Sequence, residues 1–237
     1  MKRVLILQHC WDDPPGLLLE ILNEHTIASE LTDVESESVP DVTNYQALII
    51  MGGPQHAPDD QQYPYLKKEI KQIRRAIQAD LPILGICLGA QLLSLALGGI
   101  VQEHHTPELG FYRVELTENG KADPLFQGLP GYQQIYHWHS DVFSLPTEAI
   151  HLATNQNAEN QAFRYGKWAY GLQYHMELTP EMLDTWLYHP EFREEAIRLA
   201  GADKLEQIEQ EKSTLYPIYN EQTRVVFENF LKLSNLV

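Results

Sequence analysis

Short apolar runs alternate with amphipathic stretches through the first hundred residues. Runs at 4–8, 47–51 and 81–86 are too short and too uniformly apolar for surface helices, and they read as buried strands. Between and after them, 17–23, 65–79 and 91–97 carry apolar residues at helical spacing. Strands alternating with helices predict a parallel sheet covered on both faces. In such sheets ligands bind at the carboxyl ends of strands, near the point where strand order reverses. Three segments fall there: Gln8-His9-Cys10, Gly52-Gly53-Pro54-Gln55 and Cys87-Leu88-Gly89.

The pattern changes after residue 110. Stretches at 111–116, 134–137, 151–154, 162–164 and 168–174 read as short strands separated by turn residues, predicting antiparallel pairs beside the main sheet. His104-His105 reads as a surface loop. From Thr179-Pro180-Glu181, an N-cap followed by proline at the first helical position, the chain turns helical. Further helices are predicted at 192–199, 204–211 and 222–231. The expected organisation is a catalytic domain over 1–180 with a helical extension, 181–237, packed on it.

Composition narrows this picture. Of 237 residues, 43% are hydrophobic and the net charge is −16, which suits a soluble globular chain and disfavours contact with nucleic-acid phosphates. The basic cluster Lys67, Lys68, Lys71, Arg74, Arg75 lies on a predicted helix and reads as a solvated face. No stretch approaches the roughly 20 apolar residues of a membrane span, and the N-terminus reads as a first strand instead of a leader. With Cys10 and Cys87 alone there is no disulfide framework, and a cytoplasmic setting is expected.

The sharpest chemistry is at Cys87. It sits in Gly85-Ile86-Cys87-Leu88-Gly89-Ala90-Gln91, between a predicted strand and a predicted helix. A glycine-flanked strand-to-helix turn pushes a side chain out above the sheet, as in a nucleophile elbow, and the helix N-terminus favours thiolate. Alone, such a cysteine is more often a small core residue. His175 and Glu177 change the balance. Residues two apart on an extended segment share a side, so Glu177 can orient His175 as the base for the thiol. The backbone N–H of Leu88 points into the space above the sheet, and the Gly52-Gly53-Pro54 turn can bring a second N–H there to receive an oxyanion. His137, His139 and Asp141 alternate and offer a metal-ligand reading, with no second cluster to support it. Cys10 reads as structural, and Tyr112, Tyr136, Trp138 and Trp168 as core or site-wall aromatics.

Together these segments resemble the class I (triad) glutamine amidotransferase family, in its stand-alone, GMP synthase-like branch. The resemblance rests on Gly-Gly-Pro at 52–54, Gly-x-Cys-x-Gly-x-Gln at 85–91, Trp138-His139-Ser140-Asp141, Asn160-Gln161-Ala162-Phe163-Arg164 and Gln-Tyr-His-x-Glu at 173–177. It implies a flavodoxin-like α/β fold, with Cys87 as nucleophile, His175 and Glu177 completing a triad, and Gly53 and Leu88 forming the oxyanion hole. Substrate contacts would come from Gly52, Gln91, His139, Ser140 and Asp141. The implied reaction is release of ammonia from the glutamine side-chain amide through a γ-glutamyl thioester, without cofactor or metal. One departure is Met176, where the family often has proline, which would leave the His175–Glu177 turn looser.

Three functions remain open. A glutaminase would deliver ammonia to a separate synthetase subunit, since no Gly-x-x-x-x-Gly-Lys loop or Ser-Gly-Gly signature for ATP is present. A γ-glutamyl peptidase or hydrolase would use the same triad with no acceptor. A non-catalytic regulatory or binding subunit would retain the fold alone.

Overall fold

A computed structural model describes residues 3–237. The predicted apolar runs form the strands β1 (Arg3–Gln8), β3 (Ala47–Ile50) and β4 (Ile83–Ile86). Within β1, Val4 and Ile6 join one apolar cluster while Leu5 and Leu7 join another. Period-two alternation thus feeds two cores, which is why these strands are apolar on both sides. One core is closed by α1 (Gly16–Glu24), the other by α2 (Pro64–Gln78) and α3 (Leu88–Ala96). On α2, Leu66, Ile73 and Ala76 face inward, and Lys67, Lys68, Lys71 and Arg74 are exposed, so the basic cluster is a solvated face.

The remaining strands are β2 (Ala28–Asp33), β5 (Val101–Leu116), β6 (Tyr132–Phe143), β7 (Ile150–Thr154), β8 (Ala162–Tyr165) and β9 (Ala169–Leu172). They complete a nine-stranded sheet in the order β2-β1-β3-β4-β9-β8-β7-β5-β6. From β2 to β9 the neighbours run parallel, and from β9 to β6 antiparallel. This is the flavodoxin-like α/β architecture with antiparallel strands added. Strand order reverses between β1 and β3, so His9 and the Gly52-Gly53 turn meet at the switch point. Cys87 follows β4 and His175 follows β9, the adjacent strand.

Several elements differ from the expectation. β2, Ala-Ser-Glu-Leu-Thr-Asp, carries too few apolar residues to be read as a strand; as an edge it pairs only with β1. β5 and β6 extend well beyond the short strands predicted and pair along most of their length, with an irregularity between Glu103 and Glu108. His104 and His105 therefore lie in a strand and not in a loop, where His104 Nε2 meets the Asn157 carbonyl at 2.7 Å.

The helical segment comprises α5 (Pro180–Tyr188), α6 (Pro190–Ala200) and α7 (Ala202–Leu233), with the Glu118–Ala122 turn (α4) preceding it in the chain. The Thr179 side chain caps α5 by accepting from Met182 N–H at 3.3 Å. The helices expected at 204–211 and 222–231 are one helix that runs through Pro217. Proline interrupts the hydrogen-bond ladder there, but tyrosines on either side anchor the helix: Tyr216 Oη donates to Leu178 O at 3.1 Å, and Tyr219 Oη accepts from Leu178 N–H at 2.8 Å.

Candidate active site

Cys87 is the only residue between β4 and α3, with φ 49° and ψ −106°. A β-carbon at positive φ is strained, and such strain persists only where the surroundings impose it. They do so here. Cys87 N–H donates to Leu172 O at 2.8 Å, tying the elbow to β9. A Cβ on Gly85 would come 2.5 Å from Gly89 O, and one on Gly89 would come 2.2 Å from Ile50 O. Only glycine lets strand and helix approach this closely at the turn. Cys87 Sγ is 3.9 Å from Trp138 O and 3.8 Å from Gln173 Nε2.

His175 is fixed by its backbone N–H, which donates to Tyr136 O at 2.9 Å, and by the edge of Trp186, with ring centroids 4.9 Å apart. Its Nδ1 lies 2.5 Å from Glu177 Oε1, the same-side geometry expected of residues two apart. The other Glu177 oxygen accepts from Met176 N–H at 2.7 Å. A proline at 176 could not make this bond, so methionine adds a constraint to the turn where a looser one was expected. Burial disfavours a charged His175, but the charge of Cys87 and a hydrogen bond with it outweigh burial and raise its pKa. Burial also raises the Glu177 carboxyl to about 7.

Sequence reasoning passed over Asp13. It is 2% exposed and lies beside Glu177, with Oδ2 4.0 Å from His175 Nδ1. Burial, then the neighbouring charge of Glu177, holds its pKa well above the usual carboxylate value. The available signal was its place just beyond the carboxyl end of β1.

These groups open into a cavity of about 210 Å³. Gly53, Gln91, His139, Ser140 and Asp141 line it, while Trp138, Trp186, Phe192 and Leu199 form an apolar wall. Gln91 Nε2 reaches Asp141 O at 3.4 Å, and the Asp141 side chain is held by His56 Nδ1. Leu88 places its N–H in the first turn of α3, directly after Cys87, with its side chain in the core. Gly52 turns its carbonyl to His9 and lies outside the cavity lining. Cys10 lines the cavity too, its thiol pushed far up by burial and nearby Asp13 and Asp12.

His137, His139 and Asp141 do not form one group of potential ligands among the described residues. His137 and His139 do meet a carboxylate, but it is Glu108: His139 Nε2 is 3.1 Å and His137 Nδ1 3.5 Å from Glu108 Oε2. Glu108 also accepts from Asn155 Nδ2 and Gln161 Nε2, both at 2.6 Å. Burial opposes the Glu108 charge, but His139 and His137 with these amides hold it down at about 2, while burial takes His137 down to about 3. Its oxygens are thus engaged in a buried hydrogen-bonded cluster, with His139 Nε2 toward Glu108. The other group of potential ligands among the described residues is Asp13, His175 and Glu177.

Comparison with known proteins agrees with this architecture. The model of the family described as glutamine amidotransferase class-I matches residues 17–195, and the chain belongs to that family. Among individual relatives, it is 34% identical over 153 residues to the glutamine amidotransferase-like protein YfeJ of Salmonella typhimurium, covering 63% of this chain and 64% of that one. It is 32% identical over 157 residues to one component chain of the glutamine-hydrolysing GMP synthase of Methanosarcina barkeri, covering 62% of this chain and 76% of that one. The chain spans under two thirds of the YfeJ length, and about a quarter (26%) of the GMP synthase of Flavobacterium psychrophilum. A glutamine amidotransferase of Thermotoga maritima has a similar solved structure, with TM-score 0.82, 28% identity and 98% of each chain covered. One from Methylobacillus flagellatus gives TM-score 0.85 at 26% identity, covering 98% of this chain and 95% of that one.

Proposed function

We propose that this chain is a cysteine-dependent glutaminase that frees ammonia from the glutamine side-chain amide and passes it to a separate synthetase subunit. The observation that carries the reading is Cys87 at a positive-φ elbow, within reach of a histidine whose far nitrogen is held by a buried glutamate. In this reading the Cys87 thiolate adds to the amide carbonyl carbon. The resulting oxyanion is held by the N–H groups of Gly53 and Leu88. His175 then protonates the amide nitrogen, the C–N bond breaks, and ammonia leaves a γ-glutamyl thioester. Water gives a proton to His175 and attacks the thioester. Glutamate leaves, and the thiolate returns. Glu177 holds His175 throughout. Gln91 contacts the glutamine, and Ser140 and Asp141 bind its α-amino and α-carboxylate groups. Residues 181–237 act as an extension of the same catalytic unit, consistent with Trp186, Phe192 and Leu199 forming part of the cavity wall.

That wall also favours a second reading. Trp138, Trp186, Phe192 and Leu199 offer apolar surface that ammonia would not use, and a γ-glutamyl amide with an organic leaving amine would. Kinetics on free glutamine and on γ-glutamyl dipeptides, with and without candidate partners, separates the two. Glutamine turnover that rises with a partner supports the amidotransferase. Dipeptide turnover with kcat/KM well above that of glutamine supports the peptidase. For either, a glutamine-mimicking electrophile should label Cys87 and Cys87→Ser should abolish turnover. A folded protein left unlabelled at Cys87 would remove both readings and leave a purely regulatory or binding role.

A further inference from the structure

His9 and Glu69 take no part in the chemistry above, yet both side chains are fully buried behind the Gly52-Gly53 turn. Glu69 sits on the inward face of α2 with Leu66, Ile73 and Ala76. A carboxylate in an apolar stripe is costly unless a partner compensates it. The partner is His9, whose Nε2 lies 3.1 and 3.0 Å from the two Glu69 oxygens. The other ring nitrogen, Nδ1, lies 3.1 Å from Gly52 O. Carbonyl and carboxylate oxygens only accept. Facing an ionised Glu69, a ring that satisfies both carries a proton on each nitrogen, and the pair is then imidazolium and carboxylate. Burial opposes that charge, and Glu69 outweighs it, so the His9 pKa is raised.

The consequence reaches the active site through one peptide plane. In a trans peptide the C=O and the following N–H point in opposite directions. A Gly52 carbonyl drawn toward His9 therefore turns the Gly53 N–H away from it, and Gly53 lines the cavity beside Cys87. Among the described residues that N–H has no backbone acceptor. The turn is packed directly on His9: a Cβ at Gly53 would come 2.7 Å from His9 Cβ and 2.4 Å from Gln55 Oε1. Gln55 Nε2 closes the loop by donating to His9 O at 3.2 Å. A cationic donor on the carbonyl also polarises the amide, strengthening the N–H at its other end.

We propose that the His9–Glu69 ion pair is the positioning device of the oxyanion hole, holding the Gly52–Gly53 peptide with its N–H aimed at the carbonyl that Cys87 attacks. The inference rests on the reading of Gly53 as an oxyanion donor. His9 and Glu69 act through the peptide and touch no substrate.

The test uses two double variants of the full chain. His9→Leu with Glu69→Met replaces the pair by apolar groups of similar size, a change that buried ion pairs often tolerate without loss of stability. His9→Asn with Glu69→Met keeps an N–H donor near the Nδ1 position and removes the charge. Two quantities are read on folded protein: kcat and KM on the best γ-glutamyl substrate, and the affinity of a glutamine analogue bearing an aldehyde in place of the amide. That aldehyde forms a hemithioacetal on Cys87 and needs the oxyanion hole, whereas alkylation by iodoacetamide does not. For the Leu/Met variant, kcat and aldehyde affinity should each fall about 100-fold, the order of one lost oxyanion donor. KM and the iodoacetamide rate should stay within about threefold, since neither uses that donor. The Asn/Met variant should recover most of the loss. Wild-type-like kcat and aldehyde affinity in the folded Leu/Met variant overturn the proposal, as does a loss that asparagine leaves unrepaired. Absence of any aldehyde adduct on the wild-type Cys87 would instead remove the functional reading on which the proposal stands.

Discussion

Glu177 shows how far a single residue can be displaced from its ordinary chemistry by its surroundings. It is fully buried, bonded to His175 Nδ1 and Met176 N–H, with Asp13 close by. Burial raises its carboxyl to about 7, so the native state binds this proton more tightly than the unfolded chain. A raised folded pKa contributes stability that is fully present below the unfolded value, about 4.3, and is lost as pH rises toward 7. On the proposed reading, in which Glu177 is charged while it orients His175, that charge costs stability near neutral pH. Glu177→Gln keeps the shape and cannot charge. It should lower kcat by about 10²–10⁴-fold, because His175 loses the partner that sets its tautomer. In urea melts at pH 8 the same variant should be more stable than wild type by about 1–3 kcal/mol, with the gain shrinking toward pH 4.5. A variant that is equally destabilised at both pH values would mean that the buried charge carries no such cost.

Among the elements, α7 reaches close to the candidate site without lining the cavity. Its Tyr219 hydroxyl accepts the Leu178 N–H, and its Tyr216 hydroxyl donates to the Leu178 carbonyl, immediately after Glu177. From the other side Leu17 N–H holds Glu177 O at 2.8 Å. The turn at Glu177–Leu178 is thus gripped by α1 and α7 at once. Tyr219→Phe leaves a buried N–H without its acceptor and should cost about 1–3 kcal/mol in chemical denaturation. Tyr216→Phe, at a half-buried site, should cost less. Equal, negligible losses in both would show that the clamp does not hold the turn. Elements of this kind also mark where sequence patterns are legible. β1, β3 and β4 were readable because they are apolar on both faces, and Cys87, His175 and Glu177 because strand ends and spacing two apart constrain them. β2 was hidden by its polar edge composition, and α7 was split by Pro217, whose cost is offset by tertiary contacts invisible to local propensity. The meeting of Glu69 with His9, and of Glu108 with His139, depends on long-range packing of α2 on β1 and of β5 on β6. No local pattern encodes such pairings.

At the scale of the whole molecule, the residues before and after 180 share one apolar core. A single apolar cluster runs from Val4 and Ile6 of β1, through Leu109, Phe111 and Tyr136 of the β5–β6 pair, to Trp186, Phe227 and Phe230 of α5 and α7. Trp186 packs against His175 and donates Nε1–H to Asp12 O at 2.9 Å, joining the helical segment to the loop after β1. A chain ending at residue 180 would expose this face of the core and lose the Leu178 clamp together. It is expected to collapse without fixed packing: near-native far-UV dichroism, weak near-UV dichroism, dye binding to exposed apolar surface and a broad thermal transition. The full chain should instead melt in one step, with far-UV dichroism and tryptophan fluorescence coincident, since Trp138 on β6 and Trp186 on α5 pack edge to face at 5.4 Å. A sharp, independent transition in the shortened chain, with its Cys87 still labelled by a glutamine-mimicking electrophile, would show that the first 180 residues fold and assemble the site by themselves. The expected result is that neither survives, because the core that positions His175 and Glu177 is finished only by helices that follow them in the chain.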